Sequence, residues 1–173
     1  GLQVAAGGYM TELINVVFEF LCDMAMWCRE TQHKVMSFSD LFIAYLAVDG
    51  LEVSKLLTAC CFENYEIVNA VGPEFLRLIF EELAGKYDVT SPGWLELCAR
   101  LVLCRGSPVV ENNLLLCGYL HGSSARNLCM MQELFEWDER VTLLETPWSE
   151  PVPPNLHHHL ASIDLLTALS EGD

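Results

Sequence analysis

Three adjacent histidines, His157, His158 and His159, form the densest run of metal-capable side chains in the sequence. Consecutive residues of a helix point about 100° apart, so the three cannot converge on one ion. Two of them would chelate only if a carboxylate from another helix joined them, and packing or surface positions are the expected role. Cys60 and Cys61 are adjacent as well. That spacing disfavours a strain-free mutual disulfide, and both read as small buried apolar residues. Cys104 precedes Arg105, whose charge would lower the thiol pKa if it also lay close in space.

Two carboxylate pairs, Glu81-Glu82 and Asp138-Glu139, invite a calcium or acid–base reading. Neither stands in a loop of alternating oxygen ligands around a glycine with a terminal bidentate glutamate. Solvated helix faces are therefore expected for both. The sequence holds no G-x-x-x-x-G-K, G-x-G-x-x-G, H-E-x-x-H or G-x-S-x-G run. No catalytic, metal-ligating or cofactor-binding residue is assigned, no cofactor is expected, and the chain is not read as an enzyme.

The elements that must position these residues are helical. From Tyr9 to Glu30 apolar residues fall at Met10, Ile14, Val17, Leu21, Met24 and Cys28, a four-three alternation that predicts one long helix with that stripe inward. Glu12, Asn15, Glu19, Asp23 and Glu30 would face the other way. A polar bend at Gln32 to Lys34 follows, then a helix capped by Ser37 or Ser39 that carries Leu41, Phe42 and Leu46 and stops near Gly50. A third runs from Leu51 to about Cys61.

Next come a short helix at Glu66 to Ala70 and a new one opened by Gly72-Pro73, where a proline at the first helical position costs no hydrogen bond. It carries Phe75 to Leu83 and ends at Gly85. Ser91-Pro92 opens a helix through Trp94, Leu97, Cys98 and Leu101, and Ser107-Pro108 opens one through Leu114 to Leu120, with Gly106 and Gly122 between and after them. Helices are also predicted from Ser124 to Phe135, from Asp138 to Glu145 and from about Leu156 to Leu169. Pro147 to Asn155 reads as an irregular proline-rich connection.

Sustained period-two alternation is absent, so the fold class is all-α. Starts at Gly72, Ser91 and Ser107 put a helix pair at roughly 35 to 40 residues, the range of armadillo and HEAT repeats. Residues 1–173 are accordingly read as a single helical-repeat domain, an armadillo/HEAT-like stack of antiparallel helix pairs, or α-solenoid. The same helices would also close into a globular bundle.

Composition narrows what such a chain can bind. Nine Lys and Arg against 24 Asp and Glu leave a formal charge of −15. That field repels phosphate-rich ligands and anionic headgroups, so nucleic acid and inositol phosphates are not expected here. Arg100, Arg105 and Arg126 are scattered along the sequence. Hydrophobic residues make up 52% of the chain and mean hydropathy is +0.29, which predicts helices buried on more than one side. No run approaches the about 20 apolar residues of a membrane span; Leu41 to Val48 is the longest clean stretch, and Tyr9 to Trp27 is broken by Glu12, Glu19 and Asp23. The eight cysteines, Cys22, Cys28, Cys60, Cys61, Cys98, Cys104, Cys117 and Cys129, show no C-x-x-C spacing and lie mostly in apolar runs. A reducing, cytosolic setting is the expectation. Gly1 shows neither an initiating Met nor a targeting signature, and the chain is read as a fragment of a longer protein.

Several stretches carry a resemblance. Glu19-Phe20-Leu21-Cys22 followed by Leu51-Glu52-Val53, then Phe62-Glu63-Asn64-Tyr65 through Glu81, the bend at Gly85, and Trp94-Leu95-Glu96-Leu97 are collinear with an RIH (RyR and IP3R homology) domain. The tail, with His157, His159-Leu160, Leu165-Leu166, Ala168 and Glu171-Gly172, is similar to a segment of the same family. Over about Thr11 to Gly172 the chain resembles the RIH domain in the central coupling region of the inositol trisphosphate receptor and ryanodine receptor family. It departs from the family pattern in shorter connections and in the Pro147 to Asn155 stretch.

The resemblance implies a cytosolic helical scaffold segment of a homotetrameric, ligand-gated calcium-release channel, on the cytosolic face of the endoplasmic reticulum or another calcium store. Its implied partners are other domains and subunits of that channel, with membrane contact only through the parent protein and no inositol phosphate site in this segment. The alternatives are a generic armadillo or HEAT interaction scaffold with no channel attached and, more remotely, a metal-dependent or thiol enzyme.

Overall fold

Proline and glycine punctuation accounts for several of the element boundaries in the computed structural model, which describes residues 2–46, 48, 50–83, 92–121 and 154–171. The described elements are α1 (Leu2–Ala25), α2 (Arg29–Met36), α3 (Ser39–Tyr45), α4 (Val53–Cys61), α5 (Tyr65–Arg77), α6 (Pro92–Val102), α7 (Val110–His121) and α8 (Pro154–Ser170). Between α6 and α7 lies a hairpin of two-residue strands, β1 (Leu103–Cys104) and β2 (Ser107–Pro108). The described residues are all-α as expected, apart from this hairpin. Proline opens both α6 and α8, at the position where its missing N–H leaves no helical bond unmade. For that reason α8 begins at Pro154, ahead of the expected Leu156, and takes in the last two residues of the predicted connection. Gly85, Ser91, the helices predicted at Ser124 to Phe135 and Asp138 to Glu145, and Pro147 to Pro153 lie outside the described residues.

Four boundaries differ from the sequence reading. The first helix ends at Ala25, and a turn at Met26 and Trp27 separates it from α2, which includes the supposed bend. Gln32 is in fact a buried residue of α2, 2% exposed. Neither Ser37 nor Ser39 caps α3: the Ser37 hydroxyl donates backwards to the Lys34 carbonyl at 2.7 Å, and the N-cap residue is Phe38. Gly72-Pro73 opens nothing, because α5 runs through it. The proline removes one helical donor, yet Asn69, whose carbonyl it would have served, lies on the exposed side of α5. Beyond Arg77 the helix widens into a π-helical turn at Leu78–Leu83.

The fourth difference is at Ser107-Pro108, which is a strand and not a helix start. Cys104 pairs with Ser107 and Leu103 with Pro108 across a two-residue loop, Arg105-Gly106. Both loop residues have positive φ, 56° and 68°, the pattern of a type I′ turn whose twist matches the strands. The pairs alternate between bonded and non-bonded along an antiparallel ladder. Pro108 falls on a non-bonded pair, and the next amide, Val109, donates to Val102 at 2.8 Å. The proline therefore costs the hairpin nothing.

Helices α4 and α6 occupy the centre. α4 packs on α1, α2, α5 and α6, while α6 packs on α4, α5, α7 and α8. Leu56, Leu57 and Cys60 of α4 and Leu97, Cys98 and Leu101 of α6 are almost wholly shielded from solvent. Each fully buried leucine of this layer contributes about 1.5–3 kcal/mol. α8 lies on α6 through Ala161, Ser162, Leu165 and Ala168, a one-face stripe of mostly small residues that lets the two helices approach closely. α2 is held by a buried polar network. Gln32 Nε2 donates to the Phe62 carbonyl at 3.1 Å, and Asn64 Nδ2 donates to Gln32 Oε1 at 2.8 Å. Asn64 Oδ1 accepts from the Ile67 amide and so caps α5.

Candidate functional site: the outer face of the first helix

Helix α1 has two apolar faces, and only one of them is used inside the described fold. Phe18 and Ala25 are buried, with Ile14, Leu21 and Cys22 packed beside them, and Phe18 meets Phe42 of α3 edge-on at 6.1 Å. This inner face turns toward α4. Asn15 also faces inward: its Nδ2 donates to the Gly50 carbonyl at 2.7 Å, and its Oδ1 accepts from the Glu52 amide at 3.0 Å. These bonds fasten the α3–α4 connection to the helix, so Asn15 is not on the outer polar face expected for it.

Of the predicted inward stripe only Ile14 and Leu21 contact the core. Met10, Val17, Met24 and Cys28 are exposed, and Phe18 and Ala25 take the central places. The outer side carries Tyr9, Leu13, Val16 and Phe20 at the i, i+4, i+7, i+11 spacing of a single helical face, with Met10, Val17 and Met24 next to them. Tyr9 is 75% exposed and Phe20 63%. Trp27, just past the helix end and 79% exposed, continues the patch while resting edge-on against Phe62 at 5.1 Å. Glu12, Glu19 and Asp23 are exposed along one edge of this face. A second row of apolar residues was visible in the sequence; apolar residues spread this widely around one helix give a periodicity analysis no way to say which of them meet the core.

The chemically suggestive residues do not assemble into a centre. His157 Nε2 lies 2.9 Å from Glu96 Oε1 on α6, while His158 and His159 are half-buried against the fold. Among the described residues no three His, Cys, Asp or Glu side chains gather in a way that would hold a metal ion. Glu81 is exposed and accepts from the Tyr119 hydroxyl at 2.6 Å; Asp138, Glu139 and Cys129 lie outside the described residues. Glu96 also lines a cleft of about 340 Å³ with Phe18, Cys22, Lys55 and Ala59, an open space between α1, α4 and α6.

The thiols divide by burial. Cys60 and Cys61 are buried as expected. Burial pushes the Cys60 thiol up to about 12, and Cys61 is raised as well, by burial first and then by Cys60 beside it. Cys22 is raised to about 11, by burial first and then by Asp23 and Glu52. Cys104 is also raised, because burial outweighs the nearby Arg105; the activated thiol that its sequence neighbour suggested is not formed. Cys28, at the N-terminus of α2, goes the other way. Its neutral thiol makes no cap bond, and the Thr31 hydroxyl and amide beside it favour the thiolate and lower the pKa.

Among the described residues no helix is long and apolar enough to cross a membrane. Comparison of the chain with protein-family models, with curated proteins and with solved structures found no match in any of the three.

Proposed function

We propose that this chain is a helical scaffold segment from the cytosolic part of an intracellular, ligand-gated calcium-release channel, and that it passes conformational change between ligand-binding and pore regions without binding the ligand itself. The observation that carries the reading is the outer face of α1. An apolar row as long as Tyr9, Leu13, Val16 and Phe20, left in water, is the mark of a helix made to lie between neighbours on both sides. In a stack of helical repeats each unit buries its open face on the next. The occupant of the outer face is accordingly a neighbouring helix of the parent channel.

The packing pattern supports the same reading. α4 lies on α6 and α5 on α7, while α4, α5, α6 and α7 also touch in succession, the arrangement expected of two layers of alternating helices in an α-solenoid. Small rotations between such units add up along the stack and carry motion between distant sites. The resemblance of Phe62 to Glu81 and of the His157 to Gly172 tail to an RIH domain supplies the channel assignment.

The test is made in the full-length protein. Val16→Glu with Phe20→Glu, both at solvent-facing positions, should leave the domain folded by circular dichroism and abolish or strongly reduce ligand-evoked calcium release. Unchanged release with both charges in place would overturn the coupling role. A full-length chain without a membrane-spanning region would leave a generic helical-repeat interaction scaffold in its stead.

A further inference from the structure

Two non-glycine residues among those described have positive φ, Glu63 at 50° and Arg105 at 56°. L-residues adopt this left-handed conformation at a steric cost that glycine avoids and asparagine bears more easily. The fold demands it at both places. Glu63 follows the last turn of α4, where glycine is the usual residue, and Arg105 holds the first position of the type I′ turn, where asparagine or glycine is favoured. The backbone explains the conformation and not the side chains. Strained residues that the local geometry would replace are found preferentially at binding sites.

Both residues line the same open cleft, about 450 Å³, together with Arg100, Phe62, Leu103, Cys61, Cys104 and Gly106. The Arg100 guanidinium lies over the Phe62 ring, 5.7 Å from its centre. In a chain with 24 acidic residues, the close contacts between basic side chains and carboxylates among the described residues are His33–Glu66, Lys55–Glu52 and His157–Glu96. None engages these arginines or Glu63. Exposed residues of opposite charge therefore border one cleft with no ion pair between them.

We propose that this cleft is a binding site for a zwitterionic α-amino acid, its carboxylate taken by the Arg100 and Arg105 guanidinium groups and its ammonium by the Glu63 carboxylate. Two guanidinium forks suit a planar carboxylate. Glu63 opposes a phosphate, and a ligand of zero net charge escapes repulsion by the −15 chain. Phe62 and Leu103 give the small side chain an apolar wall. This inference is independent of the channel reading and would hold for any protein that contains the domain.

The experiment is a 15N-resolved NMR titration of the 173-residue chain with L-alanine, run in parallel with acetate, methylammonium and inorganic phosphate at constant ionic strength. L-Alanine should shift resonances of residues 61–63 and 103–106 saturably, with a Kd on the order of ten millimolar, as for a few exposed charge contacts. Acetate and methylammonium should each bind about fivefold more weakly. Arg105→Asn should raise the Tm by about 2–4 °C, because asparagine suits the turn, and abolish the shifts. Glu63→Asn, which also tolerates the left-handed backbone, should reduce L-alanine to the affinity of acetate. No saturable shift, tighter binding of phosphate than of L-alanine, or unchanged affinity in both variants would each overturn the site.

Discussion

Asn112 of α7 fills the space that a side chain on Gly72 of α5 would need: a Cβ built there would lie 2.8 Å from the Asn112 Cγ and 2.9 Å from its Oδ1. The amide enters this gap because it has work in the core. Its Nδ2 donates to the Leu101 carbonyl at 2.7 Å and to the Val68 carbonyl at 3.3 Å, tying α7 to both α5 and the end of α6. Gly72→Ala should therefore destabilise the domain by about 1–3 kcal/mol through overpacking. Asn112→Ala should cost a similar about 1–3 kcal/mol by leaving buried carbonyls unserved. The double variant, read by urea denaturation, should cost less than the sum, since the smaller side chain makes room for the new methyl.

The Gln32–Asn64 pair makes a comparable prediction for the other side of the core. Asn64 accepts from the Ile67 amide and donates to Gln32, which in turn donates to the Phe62 carbonyl. Asn64→Ala removes a helix cap and strands the Gln32 carbonyl oxygen, and should cost about 1–3 kcal/mol in chemical denaturation. Gln32→Ala should cost less in the same assay, because Asn64 can still cap α5.

Thiol reactivity should follow burial and local hydrogen bonding. With its pKa lowered by Thr31, exposed Cys28 should alkylate first with iodoacetamide at neutral pH, as read by peptide mass spectrometry. Cys60 and Cys61 should react only under conditions that unfold the chain. Thr31→Val should slow Cys28 alkylation and move its pH profile upward without changing the order for the buried thiols.

Alkaline stability is the converse case. The thiol of Cys60 has an ordinary value of 9.0 and is raised to about 12 in the fold; Cys61 is raised as well. Because the folded values lie above the unfolded ones, the contribution of these groups is fully present below pH 9 and is lost as pH climbs toward the folded values. Each such thiol ionised only in the unfolded chain steepens the loss by about 1.4 kcal/mol per pH unit. Tyr119, raised to about 12 by burial and by its hydrogen bond to Glu81, adds to the loss above pH 10. Denaturation midpoints measured from pH 7 to 11 should fall beyond pH 9, and Cys60→Ala should flatten that fall even if it lowers stability at pH 7.

The amino-acid sequence by itself determined the fold class and many of the helix boundaries. Proline opens a helix wherever its missing N–H is harmless, as Pro92 does, and a run without period-two alternation does not settle as a sheet. These effects act within one or two helical turns, so a linear reading captures them. The same local rules misread Gly72-Pro73 and Ser107-Pro108, where α7 and the Arg105-Gly106 turn impose a different backbone from outside the dipeptide.

Only the tertiary structure decided which apolar row of α1 meets α4, that Gln32 is buried, and that Arg100, Arg105 and Glu63 share a cleft. Residues 63 and 100 are brought together by the packing of α4 on α6, a contact between positions far apart in sequence. No periodicity or spacing along the chain encodes such a contact, because its free energy comes from burying two faces against each other and not from the preference of either segment alone.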